Sequence, residues 1–234
     1  MVAAHGVSRV LGGAVPTTLV RGIDMEVRAG EFVAVTGPSG SGKSSLLYLL
    51  GLLDRPTSGR ILVDGADTSA LDGDALAALR LARMGFVFQF HFLLPELGVR
   101  DNVALPMRRL GRLGEAAAAA RALDLLARLG LAAHAHKSPD QLSGGQRQRV
   151  AIARALANDP ALVLADEPMG NLDTARARMV FDVFARLAAE EGRAVVAVTH
   201  DEELARQATR RLRMVDGAIV PAGGPPAGTG AAGA

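Results

Sequence analysis

An octet rich in glycine and serine gives the clearest indication of chemical function in this chain. Residues 37 to 44 read Gly-Pro-Ser-Gly-Ser-Gly-Lys-Ser and fit the pattern of a phosphate-binding loop. Glycines let such a loop curl, so that several backbone N–H groups converge on a phosphate. Lys43 adds a positive charge for the β- and γ-phosphates, and Ser44 offers a hydroxyl to Mg²⁺. The predicted site for a nucleoside triphosphate comprises Gly37, Pro38, Ser39, Gly40, Ser41, Gly42, Lys43, Ser44 and Ser45.

Two adjacent acidic residues follow a short apolar run later in the chain. Residues 161–165 read Ala-Leu-Val-Leu-Ala, which is typical of a strand buried on both faces of a parallel sheet, and Asp166 and Glu167 come next. Ligands of open α/β sheets bind at the carboxyl ends of strands. An aspartate there can hold the magnesium shell, and a glutamate can deprotonate an attacking water. The alternative is a strand that simply ends on two solvated acids.

A second glycine-containing segment has the features of an anion-binding helix start. It comprises Leu142, Ser143, Gly144, Gly145 and Gln146. Ser143 can cap the following helix, and the glycines leave N–H groups bare at its positive end. The segment is either a second phosphate-binding surface or an ordinary N-cap that contains glycine.

The segment from Leu142 to Gln146 resembles the signature motif of ATP-binding-cassette (ABC) proteins, and the resemblance covers about residues 5 to 220. It implies that Gln89 reaches the magnesium and the attacking water, and that His200 contacts the γ-phosphate. Asp173, in Asn171-Leu172-Asp173, matches the D-loop. The implied catalytic residues are Glu167, His200 and Gln89, and the implied metal-binding residues are Ser44, Gln89 and Asp166.

The same resemblance implies a mechanism that needs two copies of the chain. The copies pair head to tail as a homodimer when ATP binds. The phosphate loop of one copy and residues 142–146 of the other then enclose each ATP with its Mg²⁺. Hydrolysis releases the dimer. Because the implied base and phosphate-contacting residues are all present, we expect an active ATPase.

Two positions depart from the family pattern. An aromatic ring that stacks on adenine would fall at Val10, and no aromatic lies nearby in the sequence. A stacking ring contributes about 1–3 kcal/mol per base, so we expect weaker nucleotide binding or poorer base selectivity. Met169 stands where relatives usually show threonine, and no consequence is assigned to it.

An apolar segment after Gln89 indicates the subgroup. Phe90 to Leu97 predicts either a core segment of a helical insert or a surface that holds a short helix of a membrane subunit. Together with other stretches it resembles the lipoprotein-releasing and macrolide-exporter ATPases. This likeness implies an integral membrane permease as partner and a place on the cytoplasmic face of the inner membrane. The other stretches are residues 37–50, 53–59 and 164–173.

Other functions share parts of this motif set. Peptide-antibiotic exporters and a cell-division complex do so, and an ABC ATPase that regulates cell-wall hydrolysis by mechanotransmission, without transport, stays open as an alternative. A soluble ABC ATPase acting on DNA would need a long coiled-coil insert, and no sustained heptads occur between Ser44 and Leu142. A ribosomal member would carry two cassettes, and this chain has one.

Composition sets outer limits on these interpretations. The 234 residues allow one large domain or two small ones, and 49% hydrophobic residues suffice for a sizeable core. No apolar run approaches the roughly 18 residues of a membrane span, and no secretory leader is expected. The absence of cysteine fits a cytoplasmic protein. A net charge of +2 without a dense basic block predicts no nucleic-acid partner.

The elements that must hold these residues follow from the local patterns. An apolar strand at 32–35 and a leucine-rich helix at 45–53 flank the phosphate loop, with antiparallel strands expected within 5–28 and a hairpin at Asp64-Gly65. We predict an α/β fold: an ABC-type core of phosphate-loop NTPases, with an antiparallel β subdomain and a helical insert subdomain at about 90–160. Pro106 and nearby glycines should break the helices of the insert. Residues 1–220 form the ATP-binding domain, and 221–234 a disordered tail.

Overall fold

The computed structural model describes residues 1–169 and 174–221. The predicted D-loop residues 171–173, with Asp173, and all but the first residue of the predicted tail lie outside this range. The strands are β1 (Val2–Leu11), β2 (Thr17–Val27), β3 (Phe32–Thr36), β4 (Ser58–Val63), β5 (Ala66–Asp67), β6 (Met84–Phe88), β7 (Leu162–Asp166), β8 (Ala194–Val198), β9 (Arg210–Val215) and β10 (Ala218–Val220). The α-helices are α1 (Lys43–Leu50), α2 (Gly73–Arg83), α3 (Val99–Leu110), α4 (Glu115–Arg128), α5 (Gly144–Ala155) and α6 (Thr174–Ala189).

A six-stranded sheet forms the centre of the molecule, in the order β10-β9-β3-β8-β7-β6. Strands β9, β3, β8, β7 and β6 run parallel, and β10 closes the edge as an antiparallel hairpin with β9. Every residue of β3, β7 and β8 is buried. This burial explains their nearly unbroken apolar sequences, because helices and the second sheet cover both faces.

A four-stranded antiparallel sheet, in the order β2-β1-β4-β5, packs beside the phosphate loop. This confirms the expected antiparallel strands. Asp64 and Gly65 connect β4 to β5 with φ of 51° and 80°. Two successive positive φ values match the tight turn that favours Asp-Gly in hairpins.

Three helices, α3, α4 and α5, occupy the segment between β6 and β7. They share a buried cluster that includes Val103, Met107, Leu126 and Ile152. The predicted break at Pro106 is wrong, because α3 continues through it to Leu110. The buried face of α3 packs on its neighbours and outweighs the missing backbone hydrogen bond.

No helix in residues 1–169 and 174–221 combines the length and the apolar character that crossing a bilayer requires.

Candidate active site

The phosphate loop connects β3 to α1, and two of its glycines are required by close backbone contacts. At Gly37 (φ 141°) a Cβ atom would lie 2.1 Å from the carbonyl oxygen of Met214. At Gly42 (φ 94°) it would lie 2.1 Å from that of Leu19. Any side chain at either residue would therefore displace the neighbouring backbone. The loop is held between β2 and β9.

Lys43 begins α1 and lies beneath the loop, with 7% of its surface exposed. Its ammonium group donates hydrogen bonds to the carbonyl oxygens of Gly37 and Pro38, each at 2.9 Å. An ammonium group has three donor hydrogens, so one remains for an acceptor above the loop. The positive charge is thus fixed at the N-terminal end of α1, where anions are favoured.

Asp166 ends β7 and faces the first turns of α1. The Ser44 hydroxyl donates to its Oδ1 at 2.8 Å, and the Tyr48 hydroxyl donates to its Oδ2 at 2.8 Å. Burial and the hydrogen bond to Asp166, together with the negative charge of that residue, raise the pKa of Tyr48 to about 12. Tyr48 therefore stays protonated at physiological pH and donates a hydrogen bond to Asp166. Sequence reasoning missed Tyr48, although its spacing of four residues from Ser44 places both hydroxyls on one helix face.

Glu167 and His200 meet at the ends of β7 and β8. His200 Nδ1 lies 2.9 Å from Glu167 Oε2. Glu167 has φ of 43°, and its N–H donates to the Val198 carbonyl at 3.1 Å. A positive φ is uncommon outside glycine, and here it turns the Glu167 side chain out of the strand direction.

The phosphate loop and this pair of side chains enclose one cavity of about 390 Å³. Gly37, Pro38 and Ser41 belong to the loop but do not line the cavity; the carbonyl oxygens of Gly37 and Pro38 instead accept hydrogen bonds from Lys43. Leu19, which sequence reasoning missed, closes one side. The cavity is lined by Leu19, Ser39, Gly40, Gly42, Lys43, Ser44, Ser45, Glu167 and His200.

Gln89 follows β6 and is half-buried outside this lining. The preceding residue, Phe88, pairs with Asp166 across the parallel ladder. The strand register therefore brings Gln89 to the same edge of the sheet as Asp166. Its side chain is not part of the cavity wall.

The segment from Leu142 to Gln146 begins α5, as predicted, with Ser143 as N-cap. Ser143 Oγ accepts the N–H of Gln146 at 3.3 Å, and Gln146 Oε1 accepts the N–H of Ser143 at 2.8 Å. Gln146 Nε2 also lies 2.6 Å from Nε2 of His134. Ser143 is exposed, Leu142 and Gly145 are buried, and none of the five residues lines the cavity. The five residues therefore lie outside the cavity that the phosphate loop, Glu167 and His200 form in this copy of the chain.

The apolar segment after Gln89 is largely exposed on the surface of the molecule. Phe90 and Phe92 are 65% and 62% exposed, so the core interpretation is wrong for these two rings. Arg154 of α5 donates to the carbonyl oxygens of His91 and Phe92, both at 2.6 Å. Burial lowers the pKa of Arg154. The loop is thereby attached to the helix that begins at Ser143.

The structure shows the surroundings of Val10 and Met169, the two residues that depart from the family pattern. Val10 lies in β1 opposite Thr18, and its N–H donates to Thr57 Oγ1 at 3.0 Å. No Phe, Tyr or Trp side chain lines the cavity in the described part of the chain. Met169 is partly buried and packs against the hydrophobic core.

Comparisons with known proteins agree with this geometry. The sequence profile of the family described as ABC transporter matches residues 20–170. The chain is 52% identical over 223 residues to the lipoprotein-releasing system ATP-binding protein LolD of Anaeromyxobacter dehalogenans, covering 94% of this chain and 92% of that protein. It is 48% identical over 213 residues to the macrolide export ATP-binding/permease protein MacB of Syntrophobacter fumaroxidans, covering 91% of this chain but 30% of that protein.

Among solved structures, the ATP-binding cassette MJ0796 has the same fold. Its dimeric post-hydrolysis state, bound to ADP and Pi, matches with a TM-score of 0.88 and 39% identity, covering 94% of this chain and 96% of the other. A second dimeric structure of the same bacterial ABC transporter cassette matches with a TM-score of 0.87.

Proposed function

The chain belongs to the ABC transporter family, and we propose that it is the ATP-hydrolysing subunit that drives a separate membrane permease. One observation carries this proposal. The phosphate loop, Glu167 and His200 surround a single cavity, while the Ser143 segment of the same chain lies outside it. ATP bound in the cavity thus presents its phosphates to a second copy. Binding of ATP is therefore coupled to formation of the dimer.

The chemistry follows from the groups around the cavity. Lys43 and the loop N–H groups bind the phosphates and neutralise their charge. Glu167 accepts a proton from the attacking water, and His200, bonded to Glu167 Oε2, orients that carboxylate and faces the γ-phosphate. Gln89 approaches from the neighbouring strand when the phosphates are in place. Hydrolysis removes the contact between the γ-phosphate and the partner's Ser143 segment, and the dimer opens.

The oxygen donors near the cavity suit Mg²⁺. Ser44 and Asp166 present a hydroxyl and a carboxylate 2.8 Å apart. Mg²⁺ is commonly bound through one or two carboxylates, phosphate oxygens and water rather than by an all-protein cage. The described residues contain no cluster of three or more His, Cys, Asp or Glu side chains that could hold a metal ion by themselves. When bound, the ion would neutralise charge that develops on the phosphates.

The surface that binds the permease is the exposed aromatic segment, Phe90 and Phe92. This segment lies beside a groove between α2, β6 and α5. A short apolar helix of the permease would rest there. Arg154 attaches this segment to the helix that carries Ser143, so closure of the dimer moves the permease contact. The chain would therefore lie on the cytoplasmic face of the inner membrane, bound through the permease.

Within the family, the function that we propose for this chain is release of lipoproteins or efflux from the inner membrane. The matches to LolD-type relatives, which are named as ATP-binding proteins of a lipoprotein-releasing system, extend over 92% of those proteins and support this proposal. Mechanotransmission to cell-wall hydrolysis without transport is the alternative. We also propose residues 1–220 as one ATP-binding domain, with a helical subdomain at about 90–160.

A pull-down from detergent-solubilised membranes tests the function. The tagged chain should retain an integral membrane subunit, and its sequence decides between a lipoprotein or efflux permease and a cell-division membrane protein. Replacing Phe90 and Phe92 together by serine should abolish retention. Replacing Leu123, a 38% exposed leucine of α4, by serine should not. Recovery of no membrane subunit, or equal loss with both variants, would contradict the proposed partner surface.

A further inference from the structure

Two hydroxyl groups on α1 hold the carboxylate of Asp166 from the same side. Ser44 and Tyr48 are four residues apart, so their side chains project from one face of the helix. Each donates to a different oxygen of Asp166, and both distances are 2.8 Å. Asp166 as a whole residue is only 9% exposed.

The Tyr48 contact decides the orientation of the carboxylate plane. Rotation about the last bond of an aspartate has a broad, two-fold preference, so one hydrogen bond leaves the plane free to turn. The second bond, from Tyr48 to Oδ2, fixes the plane with Oδ1 toward Ser44. The Ser44 hydroxyl can then donate a hydrogen bond to Asp166 while the lone pairs of its oxygen remain available to a cation.

The ring of Tyr48 is itself held in place by aromatic neighbours. It meets Phe88 edge to face, with ring centroids 6.5 Å apart, and Phe88 stacks on Phe86 at 5.9 Å. Aromatic pairs of this kind are stabilised beyond the burial of their area. The tyrosine hydroxyl is therefore presented to Asp166 by packing and does not depend on the nucleotide.

We propose that Tyr48 is a positioning residue for the magnesium site, acting through Asp166 without touching the ion or the nucleotide. The inference rests on the proposed Mg²⁺–ATP function of the cavity. Groups that orient the ligands of a metal commonly change metal affinity by about 10–100-fold when removed. Loss of the tyrosine hydroxyl should therefore reduce the gain in nucleotide affinity that magnesium provides.

The experiment measures binding, not turnover, in Tyr48→Phe, which keeps the ring and removes the hydroxyl. The dissociation constant of a nonhydrolysable ATP analogue is determined with saturating Mg²⁺ and with EDTA. The ratio of the two constants is the magnesium gain. We expect Tyr48→Phe to lower this gain about tenfold and to leave binding in EDTA unchanged. Unchanged binding in EDTA also shows that the variant is folded.

Two further variants separate positioning from stability. Thr68→Val removes another buried hydroxyl, which donates to the Ile61 carbonyl at 2.9 Å and belongs to a residue that does not line the cavity. It should leave the magnesium gain unaltered. In an Asp166→Asn background, adding Tyr48→Phe should have no further effect on the gain, because the two residues act as one unit.

The outcomes distinguish this inference from the function on which it rests. If the unmutated chain shows no magnesium gain, the proposed magnesium site is wrong. If the unmutated chain shows a gain and Tyr48→Phe keeps or increases it, the role of Tyr48 is wrong. An equal loss of binding in Mg²⁺ and in EDTA, or an independent effect in the Asp166→Asn background, would likewise overturn the role of Tyr48.

Discussion

His200 Nδ1 lies 2.9 Å from Glu167 Oε2, at the ends of two neighbouring parallel strands. The contact joins the proposed base to the residue proposed to contact the γ-phosphate. Glu167 is held for this contact by a backbone bond to Val198 and by a positive φ of 43°. Backbone conformations of this kind persist where the surrounding structure enforces them. A water between Glu167 and the γ-phosphate would thus meet an oriented acceptor.

Glu167→Gln should lower ATP turnover at least about 100-fold, because an amide cannot accept the proton of the attacking water. The shape is kept, so ATP should still bind, and the ATP-bound dimer should accumulate. Phosphate release measures turnover, and gel filtration with ATP measures the dimer. Glu190→Gln, the same change at the exposed end of α6, should behave like the unmutated chain. Turnover near the unmutated rate in Glu167→Gln would refute the assigned base.

Val10→Tyr should strengthen ATP binding. A ring at this residue of β1 could stack on adenine, and stacking contributes about 1–3 kcal/mol per base. Calorimetric titration with ATP measures the affinity, and titration with other nucleoside triphosphates measures base selectivity. Val15→Tyr, at an 80% exposed residue of the connection between β1 and β2, serves as the control. An unchanged affinity in Val10→Tyr would mean that adenine lies elsewhere or is held by other groups.

Arg154→Met should destabilise the chain by about 1–3 kcal/mol, because the carbonyl oxygens of His91 and Phe92 lose their charged donor. Urea denaturation measures the loss of unfolding free energy. With the permease present, stimulation of turnover should also fall, since the aromatic segment is no longer attached to α5. Arg149→Met, on the same helix, removes a guanidinium that contacts Met179 Sδ at 3.9 Å and should change neither quantity appreciably.

His91 makes stability depend on pH. Burial first, and then the positive charges of Arg147 and Arg154, lower the pKa of His91 below its ordinary value of 6.5. The folded chain therefore binds this proton less readily than the unfolded chain does. This part of the stability is complete above about pH 6.5 and is lost as the pH falls toward the lower folded pKa.

Thermal unfolding between pH 8 and pH 5 measures this effect. His91→Gln should flatten the decrease in melting temperature on the acid side, whereas His136→Gln, at an exposed histidine, should not. An identical acid-side decrease in His91→Gln and the unmutated chain would contradict the assignment.

Features that depend on local backbone geometry could be predicted from the residues alone. Glycines at 37 and 42 are needed because neighbouring carbonyl groups leave no room for a side chain, and Ser143 caps α5 through bonds within four residues. Apolar runs identified β3 and β7 because those strands are buried on both faces. The break predicted at Pro106 failed because packing of α3 opposes a purely local preference.

The sequence by itself determined the fold class, the phosphate loop and the pair Asp166-Glu167, since each is encoded in a short segment. Only the tertiary structure decided which distant groups meet. Tyr48 reaches Asp166 across 118 residues, and Arg154 reaches His91 across 63. These contacts depend on the order β9-β3-β8-β7-β6, which is not the order of the strands in the chain. Strand order results from the burial of all elements together, so short-range patterns could not show these partners.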